Sequence, residues 1–174
     1  SFTLERGQKV AIVGTNGLGK STLLKTILGK LPPISGTAQL GDYLFPGYFE
    51  QEAESGSETP LQVIWDEFPS MTNAEVRGAL AQCGLTTEQI SSQMKVLSGG
   101  ENAKVRLCRI MLHEINLLVL DEPTNHLDQD AKDALKKAIQ DYKGTVLIVS
   151  HEPEFYMDVA DIVWNIEEWS TKII

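Results

Sequence analysis

The stretch Val10-Ala-Ile-Val-Gly-Thr-Asn-Gly-Leu-Gly-Lys-Ser-Thr22 decides how the rest of the chain is read. An apolar run, Val10–Val13, enters Gly14-Thr-Asn-Gly-Leu-Gly-Lys-Ser21, and Thr22–Leu28 continues with helical character. Strand, glycine-rich turn and helix in that order, closed by Gly-Lys-Ser, match the pattern G-x-x-x-x-G-K-[ST] of a phosphate-binding loop. Glycines lack a Cβ, so the backbone can adopt unusual φ values and lie flat against a polyphosphate. Amides gathered at a helix N-terminus bind oxyanions through hydrogen bonds and the helix dipole. The candidate nucleotide-binding residues are therefore Gly14, Thr15, Asn16, Gly17, Leu18, Gly19, Lys20, Ser21 and Thr22. Lys20 is placed to reach β- and γ-phosphates, and the Ser21 hydroxyl to ligate Mg²⁺.

The bulk numbers fit one domain. At 174 residues, 42% hydrophobic and 22% charged, the chain can bury a proper core. A net charge of -9 argues against a broad basic face for nucleic acid. No apolar run spans a bilayer and Ser1-Phe-Thr-Leu-Glu-Arg6 is no signal peptide, so a cytoplasmic protein without membrane insertion is expected. Cys83 and Cys108 form no CxxC and are expected as buried thiols. The abrupt entry into the first strand gives the expectation of a domain excised from a larger chain.

The periodicity predicts an α/β fold: a parallel sheet flanked by helices, with an antiparallel β portion near the N-terminus and a small helical insert over about 59–114. Strands are expected at Lys9–Val13, Leu117–Leu120, Thr145–Val149 and Asp161–Ile166, and an antiparallel pair at Thr37–Leu40 and Tyr43–Phe49 turning at Gly41-Asp42. In the insert, Thr59-Pro60 reads as a helix start, Asn73 as a second cap and Thr87–Ser91 as a short third helix. Further helices are expected from Leu97 to about His113, from Asp128 to Tyr142 and over Pro153–Val159.

Two further clusters carry chemistry. The strand Leu117–Leu120 ends in Asp121-Glu122, where Asp121 can hold Mg²⁺ and Glu122 can polarise a water for in-line attack. Ser150-His151 closes the next strand and so emerges on the same sheet edge, where α/β sheets bind ligands. Gln51, after the strand ending at Phe49, could reach Mg²⁺ or the lytic water. Leu97-Ser-Gly-Gly-Glu101 admits two readings, a second anion nest built from Ser98, Gly99 and Gly100 or a plain helix cap by Ser98, and the residues alone do not choose.

In this order the motifs resemble the ATP-binding-cassette nucleotide-binding domain over nearly the whole chain. Gly14–Ser21 matches Walker A, Gln51 the Q-loop, Leu97–Glu101 the signature, Leu117–Glu122 Walker B, Leu127-Asp128 the D-loop and His151 the switch histidine. The resemblance implies an Mg²⁺-dependent ATPase of the P-loop fold, with Glu122, His151 and Gln51 catalytic and Ser21, Gln51 and Asp121 at the metal. It also implies that two cassettes pair head to tail, so that Ser98, Gly99 and Gly100 bind the γ-phosphate of a partner's ATP and Asp128 lies at the interface. The partner is a second cassette, in the same chain or as a homodimer, and an isolated cassette is expected to be weakly active.

Asp121-Glu-Pro-Thr-Asn-His-Leu-Asp128 and Ser98-Gly-Gly-Glu101 are most similar to the soluble ABC-F branch, whose chains carry two cassettes and act on ribosomes in translation or antibiotic protection. By that resemblance this is the second cassette, and the full-length protein would engage the ribosome. The competing functions are the ATPase subunit of a membrane transporter and an ATP-dependent interaction module with little turnover.

Overall fold

The computed structural model describes residues 1–15, 17, 19–49, 56–168 and 170–173, the last four by their backbone. It divides into two compact units, Ser1–Gln51 with Glu114–Thr124 and Tyr142–Ile174, and Glu52–His113 with Asn125–Asp141.

The first unit is a six-stranded sheet. Strands β1 (Lys9–Val13), β2 (Pro46–Phe49), β3 (Leu117–Asp121), β4 (Thr145–Val149), β5 (Ile162–Asn165) and β6 (Ser170–Ile173) lie in the order β2-β3-β4-β1-β5-β6. All neighbours pair in parallel except β5 and β6. The near-continuous apolar runs are those of strands buried on both faces, and β3 and β4 are buried along almost their whole length. Alternation then assigns the faces. Val10, Ile12, Leu117, Val119, Leu147 and Val149 join Leu24 of helix α1 (Lys20–Ile27) in one core, while Ala11 and Val163 meet Tyr156 of α7 (Pro153–Val159) in another. Phe2 stacks on Trp164 with ring centroids 4.9 Å apart.

The antiparallel β portion expected over 37–49 is not formed. Thr37–Leu40 is irregular, and only Pro46–Phe49 is extended, as a parallel neighbour of β3. Tyr43 sits at φ 59°, a left-handed conformation that ends extended structure. The Asn116 side chain pins the segment from outside the sheet, its Oδ1 accepting from the Phe45 amide and its Nδ2 donating to the Tyr43 carbonyl, both at 2.7 Å. The antiparallel pairing is instead between β5, expected at Asp161–Ile166, and β6, a strand the sequence pattern did not announce.

The second unit is helical: α2 (Pro60–Glu67), α3 (Asn73–Gln82), α4 (Thr87–Ile90), a 3₁₀ turn at Met94–Val96, α5 (Gly99–Met111) and α6 (Gln129–Asp141). Each of α2 to α5 opens with a capping box in which Thr59, Thr72, Thr86 or Ser98 accepts from an amide three residues on. The second cap is thus Thr72, with Asn73 the first helical residue; the box needs its partner three residues on, and Glu75 supplies it. Ile64, Val76, Leu80, Leu85, Ile90 and Val105 fill the core. Cys83 and Cys108 are free thiols packed there; hydrogen bonding with Cys83 and burial hold the Cys108 thiol above the ordinary cysteine range, so it stays neutral.

Glu67 at the end of α2 joins α5 by accepting from Arg109 Nε and by a 2.7 Å contact with His113 Nε2, whose ring lies against Phe68. Burial pushes the Glu67 carboxyl up, but these two partners outweigh it and hold the group below its ordinary value of 4.5. A depressed folded value means stability that is present above the unfolded value and lost as pH falls through the folded one. Glu67→Gln should therefore melt about 1–3 °C below the parent at pH 6, a modest gap because the pair is partly exposed, and the gap should close as pH falls from 4.5 through the lower folded value. Melting curves across that range read it directly.

Candidate functional site

The order β3-β4-β1 sets the chemistry of the first unit. Three adjacent parallel strands deliver the glycine loop after β1, Ser150-His151 after β4 and Asp121-Glu122 after β3 to one edge of the sheet.

In the glycine loop, Gly17 and Gly19 have φ of 87° and 79°, conformations that an L side chain strains to adopt. Gly19 is the N-cap of α1, so the amides that follow it point out of the helix start. Lys20, buried to 6% exposure, runs back along the loop and donates from Nζ to the Gly14 carbonyl at 2.6 Å and the Thr15 carbonyl at 3.2 Å. Asn16 and Leu18 of the expected set, and Gln51, lie outside the described residues.

Ser21 Oγ donates to Asp121 Oδ1 at 3.1 Å, bringing together two of the three expected metal ligands. A hydroxyl and a carboxylate are the hard oxygen donors that suit Mg²⁺, and they fit the metal the sequence implies. Asp121 Oδ2 accepts from the Tyr48 hydroxyl at 3.2 Å.

Glu122 Oε2 and His151 Nδ1 are 2.8 Å apart. Glu122 sits at φ 46° and its amide donates to the Val149 carbonyl at 2.9 Å, so the chain turns sharply as it leaves β3 while still tied to β4. A non-glycine residue in that region costs of order 1–3 kcal/mol, and such strain persists where surroundings enforce it. Here the result is a carboxylate facing an imidazole at the sheet edge.

In the second unit, Ser98 Oγ accepts from the Glu101 amide at 3.2 Å and Glu101 Oε2 accepts from the Ser98 amide at 2.9 Å. The cap is therefore real, and it uses only an acceptor lone pair of the hydroxyl; the proton remains for an anion, so the two readings of Ser98 are compatible. Asp128 Oδ1 accepts from the Ala131 amide at 2.8 Å, at the start of α6. Gly99 and Gly100 meet 126–131 at close quarters. A Cβ at Gly99 would lie 3.1 Å from the His126 carbonyl oxygen, and one at Gly100 would lie 2.4 Å from the Ala131 Cβ.

Three contributors escaped the sequence reading. Tyr48 passes as an ordinary strand aromatic. Asn102, one turn into α5, donates from Nδ2 to the Leu97 and Ser98 carbonyls at 3.2 and 3.1 Å and so fixes the turn before the signature glycines. Glu167, beyond β5, accepts from the Thr15 amide at 2.8 Å; the hydrogen bonds to Thr15 hold its carboxyl below the usual range, with Lys20 adding attraction. Only its spacing after a strand shared with β1 could have suggested it.

A sequence profile described as ABC transporter matches residues 1–125. YfmM, an ABC transporter ATP-binding protein of Bacillus subtilis, is 56% identical over 100% of this chain and 34% of its own length. ABC transporter F family member 5 of Arabidopsis thaliana is 39% identical over 97% of this chain and 25% of its own. Among solved structures, the archaeal ribosome recycling factor aABCE1, in complex with ribosomal stalk protein aP1, superposes with a TM-score of 0.73 at 25% identity, over 93% of this chain and 32% of that one. The chain thus spans about a third or less of the length of these relatives. No helix among the described residues is long and apolar enough to cross a membrane.

The Gly100 contact makes a separable prediction. Gly100→Ala should destabilise the fold by about 1–3 kcal/mol through overpacking against Ala131. Adding Ala131→Gly should recover most of that loss, which a double-mutant cycle by denaturant unfolding would measure.

Proposed function

Because the chain belongs to the ABC transporter family, whose cassettes are ATPases, we propose that it binds and hydrolyses ATP as one cassette, the second, of an ABC-F-type protein acting on ribosomes. The observation that carries the hydrolytic part is the 2.8 Å pairing of Glu122 with His151 on the edge that also holds the glycine loop and Asp121.

The roles follow from that placement. The amides of the glycine loop bind the β- and γ-phosphates, and Lys20 leaves its loop carbonyls to bridge them. Ser21 and Asp121, with Gln51, would hold Mg²⁺, which when bound neutralises charge on the phosphates. Glu122 takes the proton of the attacking water, and His151 orients the carboxylate and faces the γ-phosphate. Ser98, Gly99 and Gly100 complete the site of a partner cassette paired head to tail, the hydroxyl and amides at the α5 N-terminus meeting its γ-phosphate. Alone, the chain would bind ATP and turn it over slowly.

Likeness to an F-family member and to a ribosome recycling factor supports the ribosomal branch. A transporter subunit would instead co-purify with a membrane partner, whereas an ABC-F protein would sediment with ribosomes in its full-length form.

Glu122→Gln is expected to retain ATP affinity while phosphate release in a single-turnover assay falls by about 10²–10⁴-fold, the range of a lost general base. Unchanged release would remove Glu122 from that role. Lys20→Ala should instead weaken nucleotide binding itself, by at least about tenfold in a titration with fluorescent ATP, since a charge-assisted contact to phosphate is lost.

A further inference from the structure

We infer that Tyr48 is a positioning residue of the metal site: its hydroxyl fixes the orientation of the Asp121 carboxylate. The inference rests on the proposed assignment of Ser21 and Asp121 as the metal ligands.

Asp121 presents both oxygens to hydroxyl donors. Oδ1 accepts from Ser21 at 3.1 Å and Oδ2 from Tyr48 at 3.2 Å. With only the serine bond, the carboxylate could rotate about χ2, whose profile is broad. A second donor on the opposite oxygen removes that freedom and leaves Oδ1 turned toward Ser21. Each oxygen keeps a further lone pair, so neither bond consumes the ligand capacity of the group.

The fold holds Tyr48 for this purpose from three sides. Parallel pairing of β2 with β3 sets Tyr48 opposite Val119, two residues before Asp121, a span that a phenol can bridge along the strand direction. Lys30, in the turn after α1, places Nζ 4.2 Å from the centroid of the ring, a cation–π contact that clamps it. The ring itself packs against the sheet core. Tyrosine suits the task because it carries a hydroxyl on a long rigid arm with two χ angles. The glycine loop, α1 and the turn bearing Lys30 are contiguous, so the ligand serine and the clamp on Tyr48 belong to one element.

The test uses Mn²⁺ with a non-hydrolysable ATP analogue, the affinity of the metal read by electron paramagnetic resonance. Tyr48→Phe keeps the ring and its cation and removes only the hydroxyl. Mn²⁺ affinity is expected to fall by about 10- to 100-fold, as for loss of a hydrogen-bonding partner that orients a metal ligand. Melting temperature, and analogue affinity measured in chelator, should stay as in the parent. Equal losses with and without metal would mean a general structural role and overturn the inference. Asp121→Asn runs in parallel. If it weakens Mn²⁺ binding while Tyr48→Phe does not, Tyr48 is excluded and the metal assignment stands. If neither changes Mn²⁺ affinity, the metal assignment itself falls and takes this inference with it.

Discussion

The hydrogen-bonded ladders on either side of β4 are the constraint on which the chemistry depends. Val146 to Val149 pair with Lys9–Ile12 on one side and Leu118–Asp121 on the other, so the ends of three strands are held in register. A one-residue slip would turn every side chain to the other face of the sheet. It would bury Asp121 or exchange it with Leu120, and the 3.1 Å bond to Ser21 could not form. The burial of Val10, Ile12, Val119, Leu147 and Val149 in a single cluster is what makes such a slip costly, since several apolar side chains would be exposed together. Core packing thus fixes where the Asp121 carboxylate can be.

That frame also accounts for the backbone of Glu122. A left-handed non-glycine residue directly after a strand is unfavourable and persists where its surroundings hold it. Here the Asp121 side chain is tied to Ser21 and Tyr48, and the Glu122 amide is tied to β4. The strain is stored between two fixed points, and it aims the Glu122 carboxylate at His151 rather than along the strand. Strand register, the hydrogen bonds of Asp121 and the position of the Glu122 carboxylate are therefore coupled, and weakening one loosens the others.

Much of this was legible from residue order. The glycine loop, Asp121-Glu122 and His151 are each a short motif at the end of a continuous apolar strand, and such strands announce a parallel sheet with its ligand edge at their carboxyl ends. What was not legible depended on tertiary contacts. Tyr43–Phe49 is aromatic and apolar enough to read as one strand, but Asn116, distant in sequence, bends it at Tyr43 and leaves only Pro46–Phe49 to pair. Tyr48 likewise carries no local mark of function. A tyrosine in a strand usually buries its ring, and only the register against β3 shows that its hydroxyl meets Asp121. Glu167 belongs to the same class: an acidic residue after a strand is ordinary until β5 is seen beside β1.

The signature segment shows why local and functional readings of a motif need not compete. A helix start has unsatisfied amides whatever it is used for, and Ser98 with Glu101 satisfies part of them by the usual reciprocal cap. The cap also orders the first turn of α5, and the Asn102 side chain closes it from behind. Gly100 has its own structural reason to lack a side chain, because the Ala131 methyl occupies the space a Cβ would take, and a Cβ at Gly99 would crowd the His126 carbonyl. Packing, capping and the proposed anion binding thus ask for the same residues. Under the proposed head-to-tail pairing this coincidence favours the encounter with a partner's phosphate, since the groups presented are already rigid beforehand and little ordering remains to oppose it.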